Sequence, residues 1–189
     1  MTSLAASREF VETKGSRGPM ANWATSTLKC LKAHNVRVVT YVPDKILIPL
    51  IEGVKNDDQF TEFIASREEE AIGIAGGVAL GGSRGIVMMQ SSGFGNISNA
   101  LASFAMPYQL PVVMFISERG AIGEFNSVQV AISRTIRPTL DVLGIPHATL
   151  SRDDETEFIV DRMLYQAYET QSPVALIIST VLNRDTDSG

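Results

Sequence analysis

The chain has 189 residues, 44% of them hydrophobic and 20% charged, the balance of one soluble globular domain with a full core, which excludes disorder for most of its length. Its formal charge of -5 and scattered Lys and Arg leave no basic surplus to neutralise phosphates, so no nucleic-acid partner is expected. A single cysteine, Cys30, excludes a disulfide frame and a Cys-rich metal site. With no apolar run of the roughly 18 residues that span a membrane, and no basic-then-apolar start, we expect a cytoplasmic protein without a membrane partner.

Residues 1–19 are polar and end in Gly15-Ser16-Arg17-Gly18-Pro19, the composition of a flexible lead; 20–185 read as one domain and 186–189 as a tail. Trp23, Leu28 and Leu31 recur at helical spacing, and Val36-Arg37-Val38-Val39-Thr40-Tyr41 is short and β-branched. Asp44 opens a second helix carrying Leu47, Leu50 and Ile51; a strand near 60–64 and a helix over about 67–80 follow. The alternation continues with strand 86–90, helix 96–105, strand 112–117 and helix 132–143. Strands 147–150 and 174–178 flank a last helix over about 153–171.

Val112-Val113-Met114-Phe115-Ile116 is apolar throughout rather than alternating, which implies burial on both faces. The fold class is therefore α/β: an open, mostly parallel six-stranded sheet with helices on both faces. Ligands of such sheets sit beyond the carboxyl ends of the strands, so function is sought in the segments that follow them.

Three such segments stand out. In the first, Ser66-Arg67-Glu68-Glu69-Glu70 runs into a helix rich in small residues. Ser66 there is expected to cap the helix, with Glu69 completing a Ser-x-x-Glu box and the acids complementing the helix dipole. Small residues at 73, 75, 76 and 77 weaken a helix, since each Gly costs about 1 kcal/mol against Ala, so a close approach of a backbone or ligand is the expected reason for them. As a phosphate loop, Gly73-x-x-Gly76-Gly77 matches neither the dinucleotide nor the Walker pattern.

The second segment is Gln90-Ser91-Ser92-Gly93-Phe94-Gly95-Asn96 and its continuation to Leu101. Gly93 and Gly95 permit tight backbone geometry, and amides at a helix start can hold a polar ligand edge, although Ser and Asn also simply cap helices. The third, Ser117-Glu118-Arg119-Gly120 onward to Asn126, suits a mobile substrate lid or an ordinary surface loop.

In this order and on this architecture, the three segments resemble the pyrimidine-binding domain of thiamine-diphosphate enzymes. Glu68, Gly73, Ala75 and Gly77 fit that family's Glu-x-x-x-x-Gly/Ala-x-Ala-x-Gly helix, whereas Glu69 and Glu70 do not. Ser92-Gly93-Phe94-Gly95-Asn96-Ile97-Ser98-Asn99-Ala100-Leu101, the Leu110-Pro111-Val112-Val113 strand entry, Val42-Pro43-Asp44 and Arg119-Gly120 extend the likeness over about residues 20–183. Within the family the chain resembles the small alpha subunits of sulfopyruvate decarboxylases and the matching half of phosphonopyruvate decarboxylases.

The resemblance implies that Glu68 is the catalytic carboxylate that hydrogen-bonds the aminopyrimidine of thiamine diphosphate, with Ser92, Gly93, Phe94 and Asn96 as further cofactor contacts. The Gly-Asp-Gly pattern with which the family holds the diphosphate and its Mg²⁺ does not occur in the sequence, so no metal ligand is expected here. A beta subunit is implied as the partner that holds them, and a homodimer or a hetero-oligomer is expected. The reaction implied is decarboxylation of a small 2-oxo acid, 3-sulfopyruvate to sulfoacetaldehyde and CO₂. The alternatives are a phosphonopyruvate or other 2-oxo acid decarboxylase or carboligase subunit, or a non-catalytic subunit that keeps the fold. Arg119 and Arg67 are the candidates to face the substrate's distal anion. His34 and His147 are isolated and are expected to be surface or helix-end residues rather than catalysts.

Overall fold

The computed structural model describes residues 22–122 and 124–182; the expected lead at 1–19 and tail at 186–189 lie outside the described residues. Six strands form one sheet: β1 (Val36–Tyr41), β2 (Thr61–Ile64), β3 (Arg84–Gln90), β4 (Val113–Glu118), β5 (His147–Leu150) and β6 (Val174–Ser179). Every pairing is parallel, in the order β2-β1-β3-β4-β6-β5. α1 (Asn22–Ala33) precedes β1, and the crossovers that parallel strands need are supplied by α2 (Ile48–Lys55), α3 (Glu68–Leu80) and the later helices α4 (Ser91–Phe94), α5 (Ser98–Ala100), α6 (Ser127–Ser133), α7 (Ile136–Leu143) and α8 (Thr156–Thr170).

The continuous apolar strands divide residue by residue between two cores. Val39, Tyr41, Ile86, Met88, Val113, Phe115, Leu176 and Ile178 meet Trp23 and Leu31 of α1, Leu50 and Val54 of α2, and Leu164 of α8. Their neighbours Val87, Met89, Met114, Ile116 and Ile177 meet Ala71, Ile72 and Ala75 of α3, together with Phe94, Leu101, Ile136 and Leu140. Fully burying each large side chain stabilises the fold by about 1.5–3 kcal/mol, which is why a sheet covered on both faces tolerates so few polar positions. Cys30 is part of the first core; burial pushes its thiol up to about 11.

Two helices expected to be continuous are broken. Instead of one helix over 96–105, α4 begins directly after β3, a turn intervenes, and α5 passes into a π-helical turn, Leu101–Ala105. The helix expected over 132–143 is two, α6 and α7. Pro138 accounts for the break, since a proline is tolerated only in a first turn, and restarting at Ile136 places it there. Among the described residues no helix is long and apolar enough to cross a membrane.

Candidate active site

The chain leaves β1 outward to β2 and then returns across β1 to β3, so the segments after β1 and β3 diverge at the carboxyl edge and open the crevice in which sheets of this kind bind ligands. Asp44, just after β1, is 7% exposed. Its Oδ1 accepts from the Ile46 amide at 3.0 Å, which caps a short 3-10 turn, Lys45–Leu47. Its Oδ2 accepts from Nε2 of Gln90, the last residue of β3, at 2.8 Å. The Ser92 hydroxyl then donates to Oε1 of Gln90 at 2.6 Å. Ser91, fully buried, accepts at 3.2 Å from the backbone amide of Arg119, so the segments after β1, β3 and β4 are stitched together.

Glu68 is the first residue of α3, behind an N-cap, Arg67, that makes no side-chain capping bond. Its side chain lies across Gly93: a Cβ on that glycine would overlap Oε1, Cδ and Cγ of Glu68. Only glycine accepts such an approach, and this is the third residue of α4, where the chain turns from β3 toward Glu68. Half-buried, Glu68 makes no hydrogen bond or ion pair with another described residue. A carboxylate with all its acceptor capacity unspent thus sits beside the polar chain of Asp44, Gln90 and Ser92.

The acidic triplet is arranged differently from the expected capping box. Ser66 does not cap with its side chain; its backbone amide donates to Glu70 at 2.7 Å, so Glu70 rather than Glu69 provides the reaching-back carboxylate. The helix starts one residue later than a Ser66 cap requires. Glu69 bonds Arg67 at 3.1 Å, and its carboxyl is held below its ordinary value first by its own backbone amide and then by that guanidinium.

The glycines of α3 separate into two groups. At Gly76 the close approach is internal, because a Cβ would run into the Phe104 ring and stand 3.1 Å from Leu110. Gly73 and Gly77 have nothing within 4 Å of a Cβ and form an open helix face.

Of the expected cofactor contacts, Ser92 and Gly93 stand at the crevice beside Glu68. Phe94 does not: with 0% exposure it belongs to the second core and has no surface to offer a ligand. A phenylalanine one turn from a buried strand is drawn into the core by its apolar area, an outcome that a motif cannot distinguish from ligand contact. Asn96 is exposed, and its amide donates to the Gly93 carbonyl at 3.0 Å, closing the turn.

Arg119 donates from Nε and Nη2 to the two oxygens of Glu124 at 2.7 and 2.9 Å. Glu124, with only 5% of its side chain exposed, also accepts from the amides of Gly120 and Asn126. These donors, Arg119 foremost, hold its carboxyl down at about 2. Among the described residues, the third segment is therefore tied to itself around the Glu124 carboxylate. Arg67, its side chain 72% exposed, faces solvent with Glu69.

His34 bonds Asp161 at 2.8 Å at the amino end of β1, away from the crevice, and His147 bonds the Ile145 carbonyl at 3.2 Å. A groove of about 420 Å³ between α1 and α8, lined by Lys29, Cys30, Asp154 and Glu157, contains no expected site residue. Among the described residues no three His, Cys, Asp or Glu side chains gather as a metal site would require. Asp44 and Gln90 are the site residues that sequence reasoning left without a role. Their signal is positional, at the carboxyl ends of the two strands flanking the switch point, and it appears only once the strand order is known.

The model of the family described as "Thiamine pyrophosphate enzyme, N-terminal TPP binding domain" matches residues 21–131. The chain is 33% identical over 151 residues to sulfopyruvate decarboxylase subunit alpha of Methanocaldococcus jannaschii, covering 80% of this chain and 89% of that one. It is 36% identical over 122 residues to phosphonopyruvate decarboxylase of Streptomyces hygroscopicus, covering 65% of this chain but 30% of that longer one. Its fold is similar to that of a 2-oxoglutarate:ferredoxin oxidoreductase of Magnetococcus marinus, with a TM-score of 0.66 at 12% identity over 86% of this chain and 29% of that one. The parallel strand order, the carboxylate opening α3 and the extent of these matches lead to one conclusion: the chain belongs to the family of thiamine pyrophosphate enzyme N-terminal TPP-binding domains.

Proposed function

We propose that this chain provides the pyrimidine-binding half of a thiamine-diphosphate-dependent decarboxylase of 2-oxo acids, converting 3-sulfopyruvate to sulfoacetaldehyde and CO₂. Its partner, a beta subunit, holds the diphosphate and Mg²⁺, and the two form a cytoplasmic hetero-oligomer. The observation that carries the reading is the Glu68 carboxylate, unpartnered among the described residues and cradled on Gly93 at the switch point. An acceptor of that kind, set against Gly93, the chain neighbour of Ser92, fits the polar edge of a pyrimidine ring.

The cofactor, when bound, supplies the electron sink that decarboxylation of a 2-oxo acid requires. Glu68 would share a proton with the ring nitrogen, donating to it when protonated and accepting from it once the ring is protonated, and partial burial would strengthen that exchange by reducing competition from water. Ser92, Gly93 and Asn96 border the ring. Arg119 spends two of its donors on Glu124, and the remaining donors of its fork meet the distal anion of the substrate, with exposed Arg67 as the second cation.

The test is co-expression with the partner and assay against a panel of 2-oxo acids. Turnover of 3-sulfopyruvate by the pair, and none by this chain alone, is expected. A preference for 3-phosphonopyruvate, the substrate class in the name of one relative, would move the substrate assignment within the same chemistry. Transfer of the fragment to a second carbonyl compound would make the complex a carboligase. A complex that binds the cofactor yet turns over no 2-oxo acid would make this a non-catalytic subunit and overturn the reading.

A further inference from the structure

The chain of side chains that begins at Asp44 has a direction. A carboxylate only accepts hydrogen bonds, so the Gln90 amide must turn its NH₂ toward Oδ2 of Asp44, 2.8 Å away. That orientation points Oε1 of Gln90 at Ser92, and a carbonyl oxygen can only accept. The hydroxyl of Ser92 has one proton, and the 2.6 Å bond to Gln90 uses it. Ser92 is half-buried at the crevice, whereas its neighbour Ser91 is fully buried and accepts from Arg119, so Ser92 is the hydroxyl with surface left to offer. What it offers is lone pairs.

We infer that Asp44 and Gln90 are positioning residues that fix Ser92 Oγ as an obligatory hydrogen-bond acceptor toward the ligand, so that the site takes an N–H of a nitrogen heterocycle at Ser92 as well as at Glu68. This rests on the reading of the site as a pyrimidine site and specifies its polarity. Both polar groups that this chain presents beside Gly93 then accept, and a ligand edge bearing carbonyl oxygens meets no donor from either. Such selectivity is large for its size, because a buried acceptor facing an acceptor is left unpaired. The inward end of the relay is secured independently of any ligand: Asp44 is 7% exposed and its other oxygen is committed to the Ile46 amide, so it cannot swing away from Gln90 without uncapping the turn that follows β1.

The polarity can be read in the full chain by NMR of the Gln90 side-chain amide. We expect one amide proton shifted downfield and protected from exchange, lost in Asp44→Asn and retained in Ser92→Ala. An amide proton retained in Asp44→Asn and lost in Ser92→Ala would mean the amide is reversed and would overturn the inference. The consequence for binding is tested in the assembled complex with two probes, 4-amino-5-hydroxymethyl-2-methylpyrimidine and its 4-methoxy analogue, which has no N–H to donate. The wild type should prefer the amino probe by roughly tenfold, the scale of one hydrogen bond to a buried group. Asp44→Asn, whose amide lets Gln90 turn either way, should lose most of that preference while keeping its melting temperature; an unchanged preference overturns the inference. If neither probe binds while the NMR pattern is as expected, the polarity of the relay stands and the pyrimidine reading fails.

Discussion

The α-carbon of Gly93 lies beneath the carboxyl of Glu68, so close that a methyl group in place of its hydrogen would overlap three atoms of that side chain. The two residues belong to different crossovers, and the contact makes the position of the carboxylate depend on a residue that carries no chemistry. Gly93→Ala should therefore displace Glu68 and lower kcat of the assembled complex by on the order of 100-fold, the scale of a misplaced reacting group. The half-buried side chain can swing into solvent, so the melting temperature should change little. Steady-state rates with the cofactor saturating are the measurement, and full activity in Gly93→Ala would show that the carboxylate does not work from this position.

The acidic triplet gives three different outcomes. Glu68→Gln should reduce kcat by about 100-fold or more, as expected for a lost acid-base group, with stability nearly unchanged. Glu69→Gln should be close to silent, since its contacts are to an exposed arginine and to its own amide. Glu70→Ala should cost stability, by roughly 0.5–1 kcal/mol, through loss of the bond to the Ser66 amide, and Glu70→Gln should restore most of it. Urea denaturation of the chain beside kinetics of the complex separates these. A rate defect in Glu69→Gln with a normal Glu68→Gln would move the catalytic carboxylate one residue along.

The glycines of α3 separate in the same way. Gly73→Ala and Gly77→Ala enter open space and should each stabilise the chain by up to about 1 kcal/mol, the helix-propensity difference. Gly76→Ala must displace the Phe104 ring and should destabilise by about 1–3 kcal/mol, the cost of overpacking a filled core. Denaturant midpoints check all three, and equal effects at 73 and 76 would contradict the packing described.

The sheet was readable in advance because burial on both faces leaves continuous apolar runs in its central strands β3, β4 and β6, while the edge strands β2 and β5, less buried, were placed by their alternation with helical spacings. Glu68 was readable through the family pattern of α3. The separate short helix at Ser91–Phe94 and the break before Ile136 were not: the first carries Gly93 under Glu68, a tertiary contact, and the second comes from a proline whose effect depends on where the helix starts. Phe94 and the Arg119–Glu124 pair show the same limit. A motif names a residue type, and burial or a partner five positions away decides whether that residue faces a ligand.

Glu124 links the third segment to pH. Its carboxyl ordinarily titrates at 4.5 and in the folded chain is held down at about 2, chiefly by Arg119 and then by two backbone amides. A lowered folded-state value means that the unfolded chain binds the proton first. The stabilisation is therefore complete above the ordinary value, shrinks as pH falls toward about 2, and is absent below it. Glu124→Gln, which cannot titrate, should be less stable than wild type at neutral pH. The difference between the two proteins should be constant down to about pH 5 and then narrow with further acidification. Urea denaturation of both proteins across that window is the measurement. A difference that stays constant to about pH 3 would mean that the loop is not held by this carboxylate. The same variant leaves Arg119 without its counter-charge, so in the complex the KM for a dianionic 2-oxo acid should fall relative to that for pyruvate if the free donors of Arg119 face the distal group, and should stay level if the partner holds that anion.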